Sequence, residues 1–223
     1  MKNNFFMPVS FLVIISGLFI GGNVLASSSA VPLAKVDIEL NQEAYKRGAK
    51  VAIETCNLCH ELKYIRYRNL LDIGFTQQEV DGFRGNKSME EVLAASMTPP
   101  LAKKAFGMIP PDLSLMAKAR KKGDRYIYTL MTSYHEVADN QYDNKLFPGI
   151  RMPDIFALSV ETDEKRRAMQ DQQIKDVTSF LVWASDPHAD TRRTIGTYVI
   201  AYLVLLTFLL WLWKRKVWSR LDD

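Results

Sequence analysis

Apolar positions fall into three regimes along the chain. Residues 11–20 form an apolar run broken only by Ser16 and Gly17, and residues 195–213 form a second run of 19 positions with no charge. Between them, apolar residues recur at helical spacing. Ala44, Tyr45, Gly48, Ala49, Ala52 and Ile53 predict a helix over residues 41–55, with Asn41 placed to cap it. Ile174, Val177, Phe180, Leu181 and Trp183 give residues 171–184 an apolar face. Gly48 costs its helix about 1 kcal/mol relative to Ala, which is the signal of a close crossing, and the 171–184 helix is the expected partner.

Shorter elements follow the same logic. Thr76-Gln77-Gln78-Glu79 reads as a capping box, residues 88–95 as a second short helix, and residues 121–134 as another. Asp112 reads as the cap of a helical segment beginning at Leu113, and residues 161–173 as a charged stretch leading into the last helix. No strand-like alternation, internal repeat or low-complexity block is evident, so the fold class expected is mainly α.

The two apolar runs set the topology. Nineteen residues at 1.5 Å each approach the thickness of a hydrocarbon core, with Tyr198 and Tyr202 toward one end and Trp211, Trp213 and Trp218 toward the other. Lys214, Arg215, Lys216 and Arg220 outnumber Arg192 and Arg193 on the opposite flank, which predicts a cytoplasmic C-terminus. The first run is short of the roughly 20 residues that span a bilayer. It follows Lys2 and precedes the small-residue site Val24-Leu25-Ala26, so it reads as a secretory signal rather than a retained anchor. The expected division is a signal peptide at 1–26, an exported domain at 27–193, a transmembrane helix at 194–213 and a cytoplasmic tail at 214–223.

The formal charge of +4 and pI near 9.0 raise the possibility of a nucleic-acid partner. The location of the charges removes it. Residues 27–191 carry 22 Lys and Arg against 23 Asp and Glu, so the basic excess lies at the two termini, where it serves topology.

The only two cysteines stand in Cys56-Asn57-Leu58-Cys59-His60, the spacing of c-type haem attachment. On a helix these three side chains share one face, so two thiols can bond the vinyl groups along one porphyrin edge while His60 reaches the iron. A zinc site would need further ligands, and only His135 and His188 remain. A thioredoxin-like dithiol would need an α/β pattern that is lacking, and a chance match or a plain disulfide is the remaining alternative. The first and last helices would then cross as in class I cytochrome c domains, an analogy of fold. For the sixth ligand the residues leave His135, His188, Met97, Met108, Met116, Met131 and Met152 open. Met152 stands apart because Phe147-Pro148-Gly149-Ile150-Arg151-Met152-Pro153 is a loop that can aim a side chain.

Beyond the haem pattern the sequence resembles the cytochrome c1 family, haem subunits of ubiquinol-cytochrome c oxidoreductase (the cytochrome bc1 complex), in its bacterial form. The matching stretches are Lys46-Arg47-Gly48-Ala49, Tyr64-Ile65-Arg66-Tyr67-Arg68-Asn69-Leu70, Pro110-Pro111-Asp112-Leu113-Ser114, Ala119-Arg120, Tyr126-Ile127-Tyr128-Thr129-Leu130, Phe147-Pro148-Gly149 with Met152-Pro153, Phe180-Leu181-Val182-Trp183-Ala184 and Lys216-Val217-Trp218-Ser219. The resemblance implies one covalent haem c with His60 and Met152 as axial ligands, Arg120 and Tyr126 at a propionate, and the Pro111 carbonyl orienting His60. It also implies electron transfer from a Rieske iron-sulfur protein to a soluble cytochrome c, cytochrome b as membrane partner, and a dimeric complex in the bacterial inner membrane with the haem domain in the periplasm. No general acid or base is required of such a carrier. The alternative within redox chemistry is an anchored cytochrome c that donates to a terminal oxidase or another reductase.

Overall fold

The computed structural model describes residues 31–139 and 141–219. The expected signal peptide lies outside the described residues, as does the end of the expected tail. Helix α1 (Gln42–Glu54) begins where Asn41 accepts a hydrogen bond from the Ala44 amide at 2.9 Å, and its Ala44, Gly48, Ala49 and Ala52 are buried. Helix α5 (Glu164–Ser185) is capped by Asp163 and runs 22 residues. The charged stretch expected to precede the last helix therefore forms its first turns. These two helices make the principal packing contact of the domain. A β-carbon on Gly48 would meet the Asp176 carbonyl, as expected for a close crossing. Arg47 clamps the buried Asp176 carboxylate through Nε at 2.9 Å and Nη2 at 2.8 Å, beside the crossing.

Between α1 and α5 lie a 3₁₀ turn at Cys56–Leu58, strand β1 (Leu62–Arg66), a 3₁₀ segment at Tyr67–Ile73, α2 (Gln77–Arg84), β2 (Val92–Leu93), α3 (Pro99–Phe106), α4 (Gly123–Thr132), β3 (Tyr134–Ala138) and β4 (Gln141–Asn144). The Thr76 to Glu79 capping box forms at the start of α2. Phe180, Val177 and Ile174 of α5 join Leu62, Ile65, Leu70 and Leu93 in one buried core. Tyr128 of α4 donates to Asp171 of α5 at 2.5 Å, and burial beside that carboxylate pushes the phenol up to about 12.

Several local expectations need correction. Residues 88–95 are not a helix: Glu91 closes a turn on Ser88, and Val92–Leu93 instead pair antiparallel with β1. Among the described residues there are two small two-stranded sheets, β1–β2 and the β3–β4 hairpin, where no strands were expected. The segment after Asp112 is a series of turns, although Asp112 does accept from the Ser114 amide at 2.7 Å. At Val92–Leu93 the pairing that wins comes from β1, distant in sequence, whereas the β3–β4 hairpin and the turns after Asp112 are held by near neighbours.

Helix α6 (Ala189–Trp218) extends for 30 residues with none of them buried, and it is long and apolar enough to cross a membrane. Asp186, between α5 and α6, takes Lys118 at 2.6 Å and also pairs with Arg192.

Candidate functional site

The chain leaves α1 at Thr55 and tightens into the Cys56–Leu58 turn, where the Cys59 and His60 amides both bond the Cys56 carbonyl, at 3.1 and 2.8 Å. The motif is thus a separate 3₁₀ turn and not a continuation of the helix, yet the shared carbonyl still brings its three side chains to one side. Asn57 fixes this turn from behind. Its buried amide donates to the His60, Leu93 and Ala94 carbonyls at 2.8, 3.2 and 3.0 Å. Nothing in the sequence marked Asn57, because its partners in and after β2 lie 36 and 37 residues away.

The turn faces a cavity of about 500 Å³ lined almost entirely by carbon. All seven residues singled out from the sequence border it: Cys56, Cys59, His60, Pro111, Arg120, Tyr126 and Met152. Helix α4 contributes Tyr126, Ile127, Leu130 and Met131, one helical face, and α5 contributes Val177 and Leu181, one turn apart. Met108, Met116 and Met131 also border the cavity, whereas His135 and His188 do not.

His60 is oriented by its neighbour. Its Nδ1 lies 2.8 Å from the Pro111 carbonyl, and since a carbonyl only accepts, Nδ1 carries the hydrogen and Nε2 keeps its lone pair. Burial holds this imidazole below its usual pKa, with the Pro111 contact opposing the shift. Pro111 is itself pinned, because the Leu113 amide bonds the Glu61 carbonyl at 2.9 Å and Ser114 Oγ accepts from the Tyr64 amide at 3.1 Å. The two thiols are free, and burial pushes Cys56 up to about 11. A thiol so raised is the opposite of the acidic cysteine that thioredoxin-like exchange requires.

On the same cavity, Met152 sits in a loop whose carbonyl at that residue accepts from the buried Tyr134 hydroxyl at 2.9 Å. Burial and the nearby Asp154 and Asp143 carboxylates raise the Tyr134 pKa, so the phenol stays a donor. The Arg120 guanidinium lies 5.5 Å from the centre of the Tyr126 ring and bonds the Ala119 carbonyl at 3.2 Å. With Arg151, which also borders the cavity, it sets a cation beside a largely apolar space, a position suited to an acidic substituent on a flat ligand. A neutral imidazole with Nε2 free, two unpaired thiols, a thioether and bordering arginines are the donor set that a c-type haem needs, and the cavity falls within the volume range of cofactor sites.

A mainly helical domain closed around such a cavity has the architecture of the c-type cytochromes. The sequence profile described as the Cytochrome C1 family matches residues 33–221, so the chain belongs to the cytochrome c1 family, for which a c-type haem is the cofactor. "Cytochrome c1" of Rhodospirillum rubrum is 32% identical over 90% of this chain and 93% of its own length. "Cytochrome c1, heme protein, mitochondrial" of Schizosaccharomyces pombe is 32% identical over 86% of this chain and 72% of its own. A solved chain described as "Hyperthermophilic respiratory Complex III" superposes with a TM-score of 0.47 at 19% identity, covering 95% of this chain and 94% of that one. Family and helix α6 together support membrane anchoring.

Proposed function

We propose that this chain is the haem-bearing electron-transfer subunit of a cytochrome bc1 complex, taking electrons from a Rieske iron-sulfur protein and passing them to a soluble cytochrome c. The observation that carries the reading is the convergence of Cys56, Cys59, His60 and Met152 on one apolar cavity, with His60 already oriented by Pro111. In this reading Cys56 and Cys59 would hold one haem c as thioethers, and His60 Nε2 and the Met152 sulfur would be its protein ligands. Arg120 and Tyr126 meet a propionate at the cavity edge. The haem supplies a one-electron couple, and thioether ligation favours its reduced form, which raises the potential.

The protein's own residues do the rest. Pro111 fixes the imidazole tautomer, the apolar lining excludes water, and the iron would take both His60 and Met152 from the chain, which would leave it an electron carrier rather than a site for substrate. Helix α6 packs against cytochrome b, with the haem domain in the periplasm, the C-terminus in the cytoplasm of a bacterial inner membrane, and the complex a dimer. Residues 1–26 are removed as a signal peptide.

The test is gentle purification of the anchored protein, followed by a pyridine haemochrome assay and reduction with ubiquinol. Co-purification with cytochrome b and a Rieske protein, one covalent haem per chain, and reduction blocked by a quinol-site inhibitor are expected. A chain that carries covalent haem but comes with a terminal oxidase would overturn the bc1 assignment. One that carries no haem would overturn the whole reading.

A further inference from the structure

The loop that presents Met152 is held from one end of the β3–β4 hairpin. Tyr134 and Asn144 face each other in the register of that hairpin, both buried. From this pair, Asn144 Oδ1 accepts the Leu146 and Phe147 amides at 2.9 and 3.1 Å, and the Tyr134 hydroxyl donates to the Met152 carbonyl at 2.9 Å. The two ends of the loop are thus fastened to one cross-strand pair. Its middle is fastened as well: Asp143 Oδ1 accepts the Gly149 amide at 2.8 Å, where Gly149 turns the backbone at φ 77°. Asn144 Nδ2 closes the frame by donating to the Leu130 carbonyl of α4 at 2.6 Å, and Leu130 borders the cavity.

We propose that Tyr134, Asn144 and Asp143 are positioning residues, a hairpin latch that holds the Met152 thioether in reach of the site faced by His60 and so resists its replacement by other ligands. This rests on the reading of Met152 as an axial ligand. A thioether sulfur is a weak, neutral donor on a flexible side chain, so the persistence of its bond depends on how little freedom the backbone beneath it has. Four side-chain hydrogen bonds to backbone groups of a seven-residue stretch remove most of that freedom.

The test uses the full-length haem-loaded protein in detergent and measures imidazole binding to the ferric form, the charge-transfer absorption of a methionine-ligated ferric haem, and the midpoint potential. Tyr134→Phe keeps the ring and deletes the donor. Imidazole affinity is expected to rise about threefold to tenfold, the equivalent of one hydrogen bond released, with a weaker charge-transfer band and a lower potential. Affinity, band and potential all unchanged at full haem content would overturn the latch. Should Tyr134→Phe lose its haem, Asp143→Ala decides: raised imidazole affinity supports the latch, and unchanged affinity overturns it. Met152→Leu separates the two levels. A band and an imidazole affinity unmoved by that substitution would sink the Met152 ligand itself, whereas loss of the band there with no effect at Tyr134 or Asp143 would sink only the latch.

Discussion

Gly48 and Asp176 are in backbone contact: a β-carbon at position 48 would sit 1.8 Å from the Asp176 carbonyl oxygen and 2.9 Å from Cβ of Phe180. Two rigid helix backbones meet there, so no rotamer change relieves a clash. The same helix α5 supplies Val177 and Leu181 to the cavity wall, so the depth of this crossing sets the width of the site.

Gly48→Ala gains about 1 kcal/mol in helix propensity and should still destabilise the protein. Overpacking costs about 1–3 kcal/mol when side chains can yield, and here the obstacle is main chain, so the net loss should reach the upper part of that range. Chemical denaturation followed by circular dichroism measures it. A midpoint equal to or above that of the unaltered protein would show that the helices are not in backbone contact.

Beside the crossing, Arg47 and Asp176 form a two-pronged pair in which the carboxylate is buried and the guanidinium is half-exposed. Replacing Arg47 with Met keeps the apolar stem and strands the carboxylate, which retains only the Gln172 amide at 3.0 Å. The expected cost is about 1–3 kcal/mol, the penalty of an acceptor left short of partners. Arg47→Lys should recover only part of it, because an ammonium cannot span both oxygens. Full recovery by Lys would show that charge alone matters at this position.

The elements that were legible in sequence are those whose signals are local. Asn41 and the Thr76–Glu79 box name their own helix starts, and Gly48 announced a crossing because a glycine in a helix interior needs a reason. The pattern Cys56–His60 and the loop at Met152 were visible because their residue types are rare and their chemistry is specific. What stayed hidden is held by distant partners. Val92 and Leu93 pair with β1 residues about thirty positions earlier, too short a strand to show alternation, and Asn57 draws its meaning from carbonyls that only the fold brings near. The hairpin that holds the Met152 loop was hidden too: Tyr134 reads in sequence as the end of a helix over residues 121–134, and Tyr134, Asp143 and Asn144 act through backbone groups of the loop and leave no periodic trace.

Asn57 yields the next prediction. Its one amide satisfies three carbonyls around the motif turn, and Ser96 returns a hydrogen bond to the Asn57 carbonyl at 2.8 Å. Asn57→Ala should cost about 1–3 kcal/mol through the carbonyls left unpaired. Because the turn presents both thiols, covalent haem per polypeptide should fall as well, read by pyridine haemochrome against protein mass. A variant of normal stability and full haem content would remove Asn57 from the architecture of the site.

The last prediction concerns acid. Glu79 Oε2 accepts from Lys46 at 2.8 Å and from the Thr76 amide at 2.8 Å, with Lys46 also reaching the Gly74 carbonyl. Chiefly the Lys46 hydrogen bond, then the backbone amide, hold the Glu79 carboxyl down to about 2 from its ordinary 4.5. A carboxylate whose pKa is depressed on folding adds stability that is fully present above its unfolded value and is lost as the pH falls through the folded one. The contribution should therefore be constant above pH 4.5 and decline from there toward pH 2. Glu79→Gln keeps the shape and removes the charge, so the gap in unfolding free energy between the two proteins should be steady at neutral pH and close on acidification. The pair is partly exposed, so added salt should narrow the gap at neutral pH too. A gap that stays constant from pH 7 down to pH 2.5 would mean that Glu79 caps α2 by shape alone and that its charge contributes nothing.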